Sequence, residues 1–161
     1  MELLAPSKRC PYCFRQSESI ICLACRETNT HFTRFAALFD AFGPPLSLLH
    51  SLLHEKQYYL IDTFVSWIII QLHALKWPQI DLIVPPRFSL FNNSQPLNLL
   101  TKSLSKQMNC IPFQLKEIEN KRLLMITHSD TSKSTLNTYA QQLRQHHPKS
   151  IYALALTLTE A

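Results

Sequence analysis

The chain has 161 residues, of which 46% are hydrophobic and 17% charged, a balance that excludes a disordered protein and is typical of one globular domain with a small appendage. Its formal net charge of +5 is spread over single and paired basic residues, which permits nucleic-acid binding without establishing it. The single glycine, Gly43, argues against a glycine-loop cofactor site, because such loops bring backbone close to the ligand.

The N-terminal sequence MELLAPSKRC has no apolar run after its first residues and predicts no secretory signal. The longest apolar stretch, YYLIDTFVSWIIIQLHAL (58–75), is interrupted by polar residues and falls short of the ~20 apolar residues that span a bilayer. We therefore expect a buried helix there, no membrane span, and a cytoplasmic protein whose cysteines stay reduced.

Four cysteines, Cys10, Cys13, Cys22 and Cys25, form a C-x2-C-x8-C-x2-C pattern near the N-terminus. Two intervening residues let both thiolates of a pair face one ion, and two pairs complete the tetrahedron that Zn(II) prefers. The alternatives, apolar packing in so polar a segment and disulfides in a reducing compartment, are both disfavoured. The pattern predicts a structural zinc site without an open catalytic position, in a module of residues 1–29 that precedes an α/β domain of residues 30–161.

After this module the sequence predicts helices before the first strand. His31 would stand at the start of a helix rather than replace a cysteine on the metal. Residues 46–57 predict an amphipathic helix, and 58–75 a buried one. Residues 30–42 carry an aromatic stripe at helical spacing, which predicts a helix with these side chains in the core: Phe32, Phe35, Phe39 and Phe42.

Strand-like and helix-like segments alternate through the rest of the chain. Alternation of this kind predicts a parallel sheet covered by helices on both sides, that is, an α/β domain. Ligands of open α/β sheets bind beyond the carboxyl ends of the strands, so segments 85–93 and 127–135 are the candidate binding loops. Strands are predicted over 80–86, 121–126 and 150–158, and helices over 96–109 and 134–147, the last capped by Ser134 or Thr135.

The order and spacing of these features resemble the competence protein F (ComF) family of phosphoribosyltransferase-like proteins over nearly the whole chain. The resemblance is carried by the cysteine quartet, by DLIVPP, by NNSQPLNLLTKSLSKQMNCIP and by KRLLMITHSDTSKSTLNTYAQQLRQHHPKSIYALALT. The last segment is similar to the family's site for phosphoribosyl pyrophosphate (PRPP), written V-D-D-V-x-T-T-G-A-T. The resemblance implies a type I phosphoribosyltransferase-like fold and a role in natural competence, handling incoming single-stranded DNA with proteins of the competence machinery.

Within the PRPP-like segment the chain departs from the family. The resemblance places Thr127 and His128 where the family has two aspartates that hold the ribose hydroxyls of PRPP. We therefore expect a degenerate site that can hold an anion at a helix N-terminus but does not bind Mg(II) and PRPP for transfer. The remaining candidates for a replacement catalytic residue are His128 and Asp130. The loop keeps hydroxyls but has a lysine in place of glycine, and reads Thr131, Ser132, Lys133, Ser134 and Thr135.

Three functional hypotheses stay open at this point. The first is an inactive ComF-like protein that binds single-stranded DNA, with Arg87, Phe88 and Phe91 stacking on bases unless the phenylalanines only cover the end of the sheet. The second is an active phosphoribosyltransferase that uses PRPP. The third is a zinc-ribbon module that docks a partner protein. Binding of single-stranded DNA that weakens steeply with salt would favour the first over the third.

Overall fold

The computed structural model describes residues 2–26, 30–84, 95–129 and 133–159. Short 3-10 helices, Tyr58–Leu60 and Leu115–Glu117, lie between the longer elements. The helices and strands follow one another in this order: α1 (Leu23–Arg26), β1 (Arg34–Asp40), α2 (Gly43–Leu53), α3 (Ile61–Ala74), β2 (Leu82–Val84), α4 (Gln95–Gln107), β3 (Arg122–Ser129), α5 (Lys133–Arg144) and β4 (Ser150–Leu158).

The four strands form one parallel sheet in the order β1-β4-β3-β2. β4 pairs with β1 on one side and β3 on the other, and each of its nine residues is buried. A strand buried on both faces reads as a continuous apolar run, which is why the sequence predicts β4 without ambiguity. The α/β class with a parallel sheet flanked by helices is confirmed.

The first strand is where the sequence prediction is wrong. Residues 30–42 were expected to form a helix, but Arg34–Asp40 is strand β1, paired in register with β4 from Arg34 opposite Tyr152 to Asp40 opposite Leu158. A short buried apolar run fits a helix or a strand equally well by periodicity, and tertiary pairing decides between them. The phenylalanines Phe32, Phe35 and Phe39 lie in the core as expected, whereas Phe42 is exposed.

The helices pack against the sheet and against one another. α3 packs along α4, α4 contacts β2 and β3, and α2 contacts β1 and β4. α2 begins at Gly43, whose φ of +66° favours glycine, and prolines occupy its first turn, where a missing N–H costs no helical hydrogen bond. Within the part of the chain that the structure describes, no helix is both long enough and apolar enough to cross a bilayer.

The N-terminal segment packs on strand β1. The backbone N–H of Leu4 donates to the carbonyl of Leu38 at 2.8 Å, and that of Phe35 donates to the carbonyl of Pro11 at 2.7 Å. Gln71 of α3, which is only 1% exposed, donates from Nε2 to the carbonyls of Leu4 and Ala37. These bonds bring the cysteine-bearing segment against the sheet, while the division at residue 29 stays a prediction.

Candidate functional site

The first cysteine pair lies in a tight hairpin. Arg9 and Gln16 form an isolated antiparallel bridge that closes it. Inside, the N–H of Phe14 donates to the carbonyl of Cys10 at 2.8 Å, and the N–H of Cys10 donates to the carbonyl of Arg15 at 2.9 Å. These bonds curl the backbone around the two-residue spacer, so that the side chains of the pair leave the turn on the same side.

Phe14, directly after the second cysteine of this pair, has φ +62°, in the left-handed region that usually favours glycine. Its ring is 3% exposed and belongs to the hydrophobic core. The guanidinium of Arg9 lies 5.3 Å from the centroid of this ring and also donates from Nη1 to the Phe14 carbonyl at 2.9 Å. The turn is therefore held both by its backbone and by a side chain anchored in the core.

The second cysteine pair is placed by the start of a short helix. α1 begins directly after Cys22, and the Cys22 carbonyl accepts from the N–H groups of Cys25 and Arg26 at 3.1 and 3.2 Å. The Arg26 side chain reaches back and donates from Nε to the carbonyl of Ile21 at 3.2 Å. A helical turn brings residues three apart onto the same side, which directs both sulfurs of this pair to one point.

The four cysteine sulfur atoms lie close together. The Sγ atoms of Cys10, Cys13, Cys22 and Cys25 all lie within 4.8 Å of one another, and those of Cys13 and Cys22 are 3.6 Å apart. Four sulfurs at about 2.3 Å from a central ion would be separated by about 3.8 Å, so the spacing fits a tetrahedral thiolate site. The predicted quartet is thus brought together, close enough to hold a metal ion.

The two thiols of the first cysteine pair differ in acidity. Burial opposes ionisation of Cys10, but hydrogen bonds from the backbone N–H groups of Cys22, Tyr12 and Cys13 outweigh it and lower the pKa of Cys10 to about 7. Burial, reinforced by the neighbouring sulfurs, raises the pKa of Cys13 well above its ordinary value. Ionisation of the other cysteines in addition to Cys10 would therefore need a positive ion among the sulfurs, because like charges at this spacing repel.

The end of β3 carries the two residues that the resemblance places at the family's acidic pair. Thr127 is 6% exposed, and its Oγ1 donates to the carbonyl of Ser129 at 3.4 Å. His128 is exposed; desolvation of its ring, and secondarily the charge of His54, lower the pKa of its imidazole. Neither residue offers a carboxylate.

A strand and a helix flank residues 130–132, as the sequence predicts. β3 extends to Ser129, three residues beyond the predicted end, and α5 begins at Lys133. Lys133, Ser134 and Thr135 are therefore helical rather than loop residues, and the expected cap at Ser134 or Thr135 is wrong by at least one residue. Other predicted site residues lie outside the described part of the chain: Asp130, Thr131, Ser132, Arg87, Phe88 and Phe91.

One carboxylate that sequence reasoning missed lies at the same edge of the sheet. Asp40 ends β1 opposite Leu158 of β4, one residue beyond the level at which Ser129 pairs with Thr157. Its Oδ1 is buried and has no hydrogen-bond partner among the described residues. The sequence signal for this carboxylate is an acid directly after the apolar run FAALF. Because that run was predicted to be helical, the position of Asp40 at the end of a strand was not recognised.

Comparison of the chain with protein-family models, with curated proteins and with solved structures gave no match. The functional argument therefore depends on the residues and geometry of the chain itself, together with the resemblance described above.

Proposed function

We propose that the protein is a ComF-like protein with a phosphoribosyltransferase-like fold, a structural zinc ion and a degenerate PRPP site. In this proposal it does not transfer phosphoribosyl groups. It handles single-stranded DNA in the cytoplasm during natural competence, together with proteins of the competence machinery.

The zinc part of the proposal is supported by the four-cysteine cluster. Cys10, Cys13, Cys22 and Cys25 would supply all four ligands, which leaves no position for substrate or water and makes the site structural. Zinc accepts four thiolates in a tetrahedron without redox demands. Its role would be to cross-link the hairpin of the first pair to helix α1 of the second.

The observation that supports the loss of catalysis is the absence of a carboxylate at Thr127 and His128, near the end of β3. A transferase of this type needs groups at the end of this strand that hold the ribose hydroxyls and position the metal-bound pyrophosphate. Thr127 is 6% exposed, and its hydroxyl cannot supply the negative charge of a carboxylate. His128 beside it carries no negative charge for magnesium. In this proposal the site lacks the acids that the chemistry requires.

The nucleic-acid part is supported by charge and by the resemblance. The formal net charge of +5 would attract a polyanion through counterion release. The residues that we propose for base stacking and phosphate contact are Arg87, Phe88 and Phe91, which follow β2 in the sequence.

Calorimetric titration of the metal-loaded protein with PRPP, with and without magnesium, tests the loss of transfer chemistry. We expect no heat of binding in either titration. Fluorescence anisotropy of a labelled oligothymidylate at several salt concentrations then tests the nucleic-acid role, because binding through several phosphates must weaken steeply with salt, with a slope of about −0.7 per phosphate contact. Absence of such binding at low salt would contradict the DNA-handling role.

Two alternatives predict different outcomes of the same titrations. An active transferase would bind PRPP in a magnesium-dependent way, with His128 as the candidate base. A protein-docking module would bind neither ligand. The latter is favoured by two apolar side chains of the cysteine module, Ile20 and Leu23, which are 87% and 76% exposed. Binding of a protein that does not depend on salt would identify this function. Such binding should be lost in Leu23→Ser and retained by a variant altered in the sheet.

A further inference from the structure

A cleft of about 420 Å3 opens at the amino edge of the sheet, the edge opposite the strand ends described above. It lies between the last turn of α3, the segment that leads from α3 into β2, and the end of α4. Its size falls within the roughly 300–1,000 Å3 of ordinary small-ligand pockets. The lining residues come from these three segments: Ile69, Leu72, His73, Lys76, Trp77, Pro78, Gln79, Ile80, Gln107 and Met108.

Trp77 gives the cleft a fixed aromatic surface. Its ring is half-buried and stacks on the ring of Tyr152, with centroids 4.9 Å apart and an angle of 38° between the planes. Tyr152 is a buried residue of β4, so the sheet itself supports the indole from one side. A planar ligand that enters the cleft would meet an indole whose orientation is already set, which reduces the entropy lost on binding.

The polar side chains of the cleft are basic groups and neutral amides. Lys76 and His73 carry the basic groups, Gln79 and Gln107 the amides, and the lining includes no acidic residue. Asp81, next along the chain, is held by Arg122, whose Nε and Nη2 donate to its carboxylate at 2.9 Å each. The cleft therefore complements a planar group attached to an anion.

The backbone at the two helix ends does not compete for this ligand. At the end of α3 the carbonyls of Gln71 and His73 accept from the N–H groups of Leu75 and Lys76 at 2.8 and 3.1 Å. Carbonyls of the last turn of α4 are bonded in the same way, to Met108, Asn109 and Cys110. These carbonyls are therefore occupied, and the side chains of the lining are the main groups that would contact a ligand.

We propose that this cleft binds one base of single-stranded DNA, stacked against Trp77, with Lys76 at the adjoining phosphate and the amides of Gln79 and Gln107 at the base edge. The proposal rests on the DNA-handling role given above, and it names a contact surface that this role did not include. Stacking on an aromatic side chain accepts any base, which suits a protein that handles incoming strands of arbitrary sequence.

The chain contains two tryptophans, which makes the contact measurable. Trp67 packs in the core against Phe39 and Phe64, with ring centroids 5.1 Å apart in both pairs. Trp67→Phe leaves Trp77 as the only indole. In the metal-loaded full chain carrying this substitution, we expect an oligothymidylate of about twelve nucleotides to quench the Trp77 fluorescence, with a midpoint equal to the Kd from anisotropy.

Substitutions in the cleft should weaken binding in two distinct ways. Trp77→Ala should raise the Kd from anisotropy roughly fivefold or more, because it removes the stacked face. Lys76→Ala should raise the Kd and also reduce the salt slope by about 0.7, because it removes one phosphate contact. Lys116→Ala, an exposed lysine of the 3-10 helix Leu115–Glu117 outside the cleft, is the matched control and should change neither quantity.

The outcomes separate this proposal from the proposed function. Oligonucleotide binding that is detected by anisotropy but does not quench Trp77 would overturn the cleft proposal and leave the DNA-handling role standing. The same holds if Trp77→Ala and the conservative Trp77→Phe both leave the Kd unchanged. Quenching of Trp77 by thymidine monophosphate without binding of the oligonucleotide would contradict the DNA-handling role and overturn the proposal, since the cleft would then be a mononucleotide site. Absence of both signals would overturn both. Circular dichroism of each variant verifies that the fold is retained.

Discussion

The cysteine module and the junction between β3 and α5 differ in what they retain. In the module, all four side chains that the chemistry needs are present and their sulfurs lie within 4.8 Å of one another. At the junction, β3 ends at Ser129 and α5 begins at Lys133, but Thr127 is buried and neither Thr127 nor His128 is an acid. Backbone layout is set by the whole core, whereas a site depends on a few side chains, so it can be lost while the fold remains.

Loss of the metal should have the largest effect on the protein. Cys25→Ser removes one of the two buried ligands, and we expect it to abolish stoichiometric metal binding and to lower the free energy of unfolding by about 3 kcal/mol or more, roughly 10 °C in Tm. Metal analysis and thermal denaturation measure the two effects. A strong chelator should reproduce them in the unaltered protein.

Cys110→Ser is the matched control for this change. The Cys110 sulfur donates to the carbonyl of Ile80 at 3.6 Å, and burial raises the pKa of its thiol to about 11, so it remains a neutral packing group. The metal content should stay at one ion per chain. Retention of the metal by Cys25→Ser would instead show that the quartet is not the site.

Phe14→Ala tests whether the module depends on the core as well as on the metal. The change leaves a cavity where a ring 3% exposed had packed, and should lower the free energy of unfolding by about 3 kcal/mol. Phe14→Gly should be less harmful by about 1 kcal/mol, because glycine accepts φ +62° without strain. Chemical denaturation of the metal-loaded variants gives the values. If alanine and glycine were equally harmful, the backbone at this turn would be unstrained.

Restoring acids at the end of β3 should show that its two positions are not equivalent. Thr127→Asp places a carboxylate at a buried position without a cation and should cost about 3 kcal/mol, whereas His128→Asp at an exposed position should change stability little. Urea denaturation compares the two. Equal effects would mean that Thr127 is accessible after all, and magnesium-dependent binding of PRPP by the double variant would show that only the acids were missing.

The smallest effect concerns the pH dependence of the sheet, far from both sites. The guanidinium of Arg122 lowers the pKa of Asp81 below its ordinary value of 3.8. The folded state then binds this proton more weakly than the unfolded state, so the pair stabilises the fold above pH 3.8 and this stabilisation is lost as the pH falls from there toward the lowered pKa.

Asp81→Asn should make the free energy of unfolding depend less on pH in this acid range. It should also lower the denaturation midpoint slightly at neutral pH. The difference between the variant and the unaltered protein, measured from neutral to acid pH, isolates the pair, since both lose bound metal alike in acid. If Asp81→Asn lost stability in acid as steeply as the unaltered protein, the effect could not come from the Asp81–Arg122 pair.

Spacing along the chain was enough to predict the metal cluster, because two short C-x-x-C turns need only local geometry to place their sulfurs. Strands β3 and β4 were also predictable, since long runs of buried residues have few other arrangements. Strand β1 was not, because an apolar run as short as FAALF takes its conformation from its pairing with β4, over a hundred residues away. Asp40 and the cleft at Trp77 were missed for a related reason, since both are formed by segments that only the folded sheet brings together.

Strand β4 has a consequence for how the protein is made. It lies between β1 and β3, yet it is the last of the four strands to leave the ribosome. At typical translation rates β1 would wait on the order of ten seconds for its partner, with an apolar edge open to other nascent chains. The bond from Leu4 to Leu38 and the cysteine module beside it involve only residues already synthesised, and in the folded protein they coexist with the pairing of β1 and β4. The N-terminal segment therefore covers β1 on the side away from β4, and the edge that awaits β4 stays open until the end of synthesis.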